Sequence, residues 1–300
     1  MITTYLPITP RKSLDVGFYT IPFVASFWSH FLNNEMWHSL NLLGQKDDKN
    51  LDGYFGDLTG IGIQKRNIWA DNNPSHLNKL QDFVEMGLRL GVITVSEENK
   101  LVCGCGRLEI IDNPENLQNI LYTHGIVNLV GGEIYCRICK SKADVVRSLS
   151  LLLTMKQVAI ARVFPDYMGQ ELRSLSEFFT NKKILISREN VSNPKIRLAN
   201  NDFYLDIDFC WMVFLCSFSI MDLQIEVLLS GAKHLKQCYF SLSLAEGLRF
   251  PLPNILAFVP YINLKPPPFQ LSSQEKRLLL LSGVNYVKKE ITINSDIYYW

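Results

Sequence analysis

Ile225-Glu226-Val227-Leu228-Leu229-Ser230-Gly231-Ala232-Lys233-His234-Leu235 passes from a short apolar run into a helical pattern that continues to Gly247. Glu226 to Leu229 reads as a strand, and His234 to Gly247 as a helix stopped by the glycine. Working outward, Ile255 to Val259 reads as a final core strand, and Lys183 to Ser187 and Phe203 to Phe209 as earlier ones. Ile2 to Leu6 is a further strand, and Tyr19 to Leu32 has the length and apolar spacing of a buried helix, with Pro22 near its start. Ser75 caps a helix carrying Leu77, Leu80, Phe83, Val84 and Leu88, which Gly91 ends. Strands alternating with helices predict an α/β fold, a doubly wound parallel sheet that takes ligands at the carboxyl ends of its strands.

Composition narrows the class. The 300 residues are 47% hydrophobic, 20% charged and 11% aromatic, which excludes a disordered chain and a polytopic membrane protein. Thirty Lys+Arg against 29 Asp+Glu leave a formal charge of +1, so any polyanion must be met by a local patch. Arg11-Lys12 followed by Gly17 to Trp28 imitates a secretory leader, but Asp15 interrupts it and no small-x-small cleavage site follows. The apolar stretch Phe209 to Met221 is shorter than the roughly 18 residues of a spanning helix and reads as a buried strand and helix start. A cytoplasmic protein without a membrane partner is therefore expected.

Residues 92–147 break the strand–helix rhythm and hold four of the seven cysteines. They predict an inserted zinc-binding module between a first half, 1–91, and a second half, 148–265, of one doubly wound domain. Residues 266–300 form a tail that opens with the stiff run Pro266-Pro267-Pro268. Cys103-Gly104-Cys105 and Cys136-Arg137-Ile138-Cys139 supply two pairs of soft sulfur donors, as a closed tetrahedral zinc site requires. That spacing favours structural zinc over unliganded buried thiols or a redox pair.

The same residues carry a family likeness. Cys-x-Cys followed by Tyr-x-x-x-Cys, here Cys103, Cys105, Tyr135 and Cys139, resembles the zinc signature of glutamyl-tRNA synthetases and of the truncated glutamyl-Q tRNA(Asp) synthetases. The preceding Gly131-Gly132 is similar to the truncated group. In that pattern Tyr135 is a ligand and Cys136 is extra, whereas spacing alone also allows a four-cysteine site with Cys136. Thr9 to Phe18 resembles the family's first phosphate-binding motif, Tyr204 its substrate-strand tyrosine, Ile225 to Leu235 its second block, and Gln270 to Gln274 its last motif. The likeness spans about residues 3 to 280, and the length fits a synthetase core without an anticodon module.

The resemblance implies a class I synthetase fold, in which residues 1–91 and 148–265 are the halves of a nucleotide-binding-like domain, with structural zinc, ATP as candidate ligand and tRNA, a nucleotide or a protein as partner. By position it assigns Gly17, Gly231, His234, Leu271 and Ser272 to the nucleotide, and Tyr5, Tyr204 and Ser230 to the amino-acid pocket. The chemistry departs from the family. Asp15 and Phe18 stand at the two histidine positions, Ser273 replaces the lysine of the last motif, Tyr5 and Ser230 replace arginines, and Leu42-Leu43 and Trp211-Met212 fall where acidic residues are expected. The expected function is a synthetase-like binding protein with a degenerate ATP and amino-acid site, its catalytic residues unassigned. The alternatives are an active ATP-dependent aminoacyl ligase of altered specificity and a zinc-dependent structural or interaction protein. Asp206 and Asp208 would share one strand face, where a metal or acid/base role competes with a solvent-facing one.

Overall fold

The computed structural model describes residues 1–5, 16–41, 52–69, 74–104, 108–110, 127–131, 133–137, 139–188, 193–259, 261–265 and 290–294. The chain divides into two compact units. Met1–Asn73, Lys156–Thr180 and Trp211–Trp300 form the first, and Pro74–Met155 with Asn181–Cys210 the second. Among the described residues no helix is long and apolar enough to cross a membrane.

The first unit opens with β1 (Ile2–Tyr5), α1 (Val16–Leu32), β2 (Met36–Asn41), α2 (Asp52–Gly60) and β3 (Lys65–Trp69). The second takes α3 (Pro74–Arg89), β4 (Ile93–Val102), β5 (Leu108–Ile110), β6 (Val127–Val130), β7 (Glu133–Cys136) and β8 (Asp144–Thr154). β9 (Arg162–Phe164) and α4 (Asp166–Phe179) return to the first unit. β10 (Lys183–Leu185), β11 (Ser187–Arg188), β12 (Lys195–Leu198) and β13 (Asn201–Leu205) belong to the second. After α5 (Ile207–Met212) come α6 (Phe214–Ile220), β14 (Val227–Gly231), a 3-10 turn Ala232–His234, α7 (Leu235–Gly247), β15 (Ile255–Val259), β16 (Tyr261–Lys265) and β17 (Glu290–Asn294).

The expected α/β architecture is present. Six strands in the order β3-β2-β1-β14-β15-β9 form one sheet, every pair parallel. Every residue of β14 is buried, as a central parallel strand covered on both faces demands. Ile2, Val227, Leu229, Ala257 and Val259 pack from one face against Tyr19, Ile21 and Ala25 of α1 and Tyr54 and Leu58 of α2. Residues of the alternate parity, Leu228, Ser230, Leu256 and Phe258, point to the opposite face and are equally buried. The chain adds β2 and β3 on one side of β1, then places β14 on the other. The winding therefore reverses between β1 and β14, where Tyr5 stands in register with Ser230. In open α/β sheets that reversal, at the carboxyl ends of the strands, is where ligands bind.

The second unit is antiparallel. β4 and β8 pair from Ile93↔Leu153 to Val102↔Asp144, within a sheet ordered β10-β8-β4-β5. α3 buries Leu80, Phe83, Val84 and Gly87. A Cβ at Gly87 would lie 2.5 Å from Ile93 Cδ1, so close approach of the helix to β4 requires glycine there. The cysteine segment expected over 92–147 falls within this unit.

Residues 203–221 differ from the reading above. The strand ends at Leu205, and both Ile207–Met212 and Phe214–Ile220 are helical. Periodicity does not distinguish a buried helix from a buried strand in a short run that is apolar on every side. Asp206 and Asp208 consequently do not share a strand face. Asp206 follows the strand and accepts a hydrogen bond from the Asp208 N–H at 2.7 Å, capping α5. Its other carboxylate oxygen pairs with Arg188 Nε.

Candidate functional site

At the switch point the structure encloses the residues nearest the ends of β1 and β14. Tyr5 and Ser230 are both 0% exposed. The Tyr5 ring stacks on Phe214 with centroids 4.5 Å apart, and meets Trp211 edge-on at 5.8 Å. Ser230 Oγ donates to the Tyr5 carbonyl at 3.3 Å, and Ser241 Oγ lies 3.4 Å from the Tyr5 hydroxyl. An aromatic cluster thus occupies the strand end, and the hydroxyls there bond within the protein. Trp211, at a position where the family resemblance places an acid, belongs to this cluster.

Gly231 closes β14, and a Cβ there would lie 3.1 Å from His234 Cδ2 and 3.2 Å from Ile21 Cδ1. The glycine makes room for the imidazole. Burial, reinforced by the Lys233 charge, pulls His234 down to about 4, so the ring is neutral at neutral pH. It therefore offers no fixed cation to a phosphate. The cations beside it are Lys233 and Lys236, which line a cavity of about 690 Å³ between α4 and the start of α7, together with Tyr167, Gln170, Glu171 and Ser174. Lys236 Nζ stands 5.5 Å from the ring centroids of both Phe179 and Phe240. Gly17 lies in the first turn of α1. Tyr204 lies on β13 of the second unit, opposite Arg188 and Lys195. Asp15, Leu42, Leu43, Leu271, Ser272 and Ser273 fall outside the described residues.

A buried polar chain in the first unit escaped sequence reading. His38 on β2 is 0% exposed, with Thr4 Oγ1 2.6 Å from Nδ1 and the Tyr54 hydroxyl 2.7 Å from Nε2. Burial, with a smaller push from Arg66, lowers His38 to about 3. Neutral imidazole has one donor and one acceptor nitrogen, so one partner donates to the ring and the other accepts from it. The three residues lie 16 and 34 positions apart, and no motif announces them.

In the second unit the sulfurs of Cys103, Cys136 and Cys139 lie within 4.8 Å of one another. Sulfurs around one zinc ion, bound at about 2.3 Å, stand roughly 3.8 Å apart, so this soft donor set fits such an ion after a small contraction. Cys105 lies outside the described residues. On β7, Ile134 and Cys136 are buried while Glu133 is exposed and Tyr135 half-buried. Adjacent strand residues face opposite ways, which separates Tyr135 from the sulfur of Cys136. The Tyr135 hydroxyl instead donates to Glu133 at 2.8 Å, and Lys142 Nζ pairs with the same carboxylate at 2.5 Å. The Lys142 bond, then the Tyr135 bond, holds Glu133 below the usual carboxylate range, and the hydrogen bond to Glu133 raises the Tyr135 hydroxyl. The Cys136 turn is fixed by its own backbone: Lys140 N–H donates to the Cys136 carbonyl at 3.0 Å, and Cys136 N–H to the Ser141 carbonyl at 2.9 Å.

No protein-family model matches the chain. No curated protein matches its sequence. Among solved structures it is similar to Mycobacterium tuberculosis methionyl-tRNA synthetase in complex with methionyl-adenylate, with 10% identity and a TM-score of 0.70 over 99% of this chain and 66% of that one. A second structure of that synthetase bound by methionyl-adenylate gives a TM-score of 0.67 at 10% identity over 99% and 66%. Its apo form gives 0.60 at 10% identity over 98% and 63%. The chain thus spans 66% of the length of the synthetase in the first comparison. At such identity the likeness establishes the fold, that of a class I aminoacyl-tRNA synthetase. These three neighbours are methionyl enzymes, and they support the class I fold without supporting the glutamyl-specific part of the resemblance.

Proposed function

We propose that this chain is a class I aminoacyl-tRNA synthetase-like protein that keeps the fold as a scaffold for an adenylate-type nucleotide or tRNA and does not activate an amino acid at a synthetase's rate. The supporting observation is the end of β1 and β14, where, among the described residues, Tyr5 and Ser230 are fully buried and bonded to their neighbours, and Tyr5 packs on Trp211 and Phe214. Activation moves negative charge onto pyrophosphate, and donors or cations must already stand where that charge develops. Removing one such donor typically costs about 2.7–4 kcal/mol of transition-state stabilisation. His234, neutral at neutral pH, is a poor substitute, and a glutamate side chain meets no cation at Tyr5, Trp211 or Ser230. The sequence departures at Asp15, Phe18 and Ser273 point the same way.

The three sulfurs and Cys105 would hold a zinc ion, which would supply folding energy to the second unit and leave no open coordination position for chemistry. A second reading, a working ligase for an apolar amino acid, draws on the aromatic walls Tyr5, Trp211 and Phe214. Calorimetric titration with ATP and with non-hydrolysable methionyl- and glutamyl-adenylate analogues tests the binding half. Saturable binding of ATP or an analogue is expected, and no heat with any of them overturns it.

A further inference from the structure

We infer that Ser141 positions the sulfurs of the cysteine centre, tying the Cys103 turn to the Cys136–Cys139 turn and donating a hydrogen bond to the Cys139 thiolate when metal is bound. The inference rests on reading the three sulfurs as a metal site. Ser141 touches all three ligand turns. Its carbonyl accepts the Cys136 N–H at 2.9 Å. Its hydroxyl oxygen accepts the N–H of Gly104, the neighbour of Cys103, at 2.9 Å, and lies 2.9 Å from Cys139 Sγ.

The direction of the last bond follows from proton counting. A backbone N–H can only donate, so Gly104 occupies a lone pair of the Ser141 oxygen and leaves the hydroxyl proton free. A metal-bound thiolate carries no proton, so with metal present the bond runs from O–H to sulfur. Hydrogen bonds to ionised acceptors are the stronger kind, and residues supporting metal ligands orient them and tune their donor strength. The Gly104 contact spans 37 residues of sequence, so the hydroxyl joins two turns that the local chain does not hold together. Space is matched to this contact, since a Cβ at Gly104 would lie 3.2 Å from the Ser141 oxygen. The nearby Glu133, Tyr135 and Lys142 side chains bond to one another.

The test is cobalt(II) titration of the full-length, reduced, metal-free chain, followed by zinc competition, for the wild type, Ser141→Ala and Ser141→Thr. The wild type should bind one equivalent with thiolate-to-cobalt charge-transfer absorption. Ser141→Ala should bind about 10–100-fold more weakly, in line with other residues that support metal ligands. Its charge-transfer band should move to longer wavelength, because a thiolate that loses a hydrogen bond is the better electron donor. Ser141→Thr, which keeps the hydroxyl, should restore both affinity and band position. Wild-type affinity and spectrum in Ser141→Ala, or no recovery in Ser141→Thr, overturns the role of Ser141 while leaving the metal site standing. Absence of cobalt binding by the wild type overturns the metal site itself, and the inference with it.

Discussion

Acidification should destabilise this protein through His38, and Gln at that position should remove the effect. His38 is fully buried between Thr4 and Tyr54 and sits at about 3, against 6.5 in the unfolded chain. Because the folded value is depressed, the contribution is complete above pH 6.5 and is lost as pH falls towards 3, the unfolded chain taking up a proton that the native ring refuses. Well inside that window each pH unit is worth about 1.4 kcal/mol for one proton, and with the unfolded ring only half protonated at pH 6.5, lowering pH from about 6.5 to 4.5 costs about 2.3 kcal/mol. His38→Gln keeps one donor and one acceptor for its two neighbours but does not titrate. His234 acts with the same sign down to about 4, is present in both proteins and cancels in their difference. Urea unfolding followed by tryptophan fluorescence, with Trp37 and Trp211 in the same unit as His38, reads the stability at each pH. The wild type should lose about 2.3 kcal/mol more than His38→Gln between pH 6.5 and 4.5. Parallel profiles for the two proteins would refute the reasoning.

Three further outcomes are expected. Gly231→Ala places a methyl 3.1 Å from His234 and 3.2 Å from Ile21, and should cost about 1–3 kcal/mol in urea unfolding. Adding His234→Ala should recover only part, because Ile21 remains. Asp206→Ala loses both the cap of α5 and the Arg188 ion pair, whereas Asp206→Asn keeps an acceptor for the Asp208 N–H. Thermal melts should rank Ala below Asn by about 1 kcal/mol, the usual worth of a cap. Elemental analysis of protein purified without chelator should find one zinc per chain, and its removal should speed modification of Cys103 and Cys139 by a thiol reagent. Zinc-free protein with already slow thiols would count against the metal site.

Legibility in the sequence followed burial and locality. Ile255–Val259 was readable to the residue because a central parallel strand is a short, continuous apolar run between breaks. The same logic failed over 207–220, where a run that is apolar on all sides hides the helical period, and Asp206-x-Asp208 imitated strand alternation although Asp206 is a cap. The cysteine spacing brought out Cys103, Cys136 and Cys139, whose sulfurs the fold gathers, whereas the parity of β7, which turns Tyr135 away from the Cys136 side, has no signal in the spacing. His38 gave no signal because its partners come from another strand and another helix. The family likeness reached the fold, while its glutamyl flavour rested on short motifs in which the residues that bear specificity are replaced.

The most direct measurement is amino-acid-dependent ATP–pyrophosphate exchange, run with each of the amino acids, with and without bulk tRNA. The buried end of β1 and β14 predicts no exchange above background with any of them, glutamate and methionine included. Robust exchange with any amino acid would contradict the account and establish a working ligase.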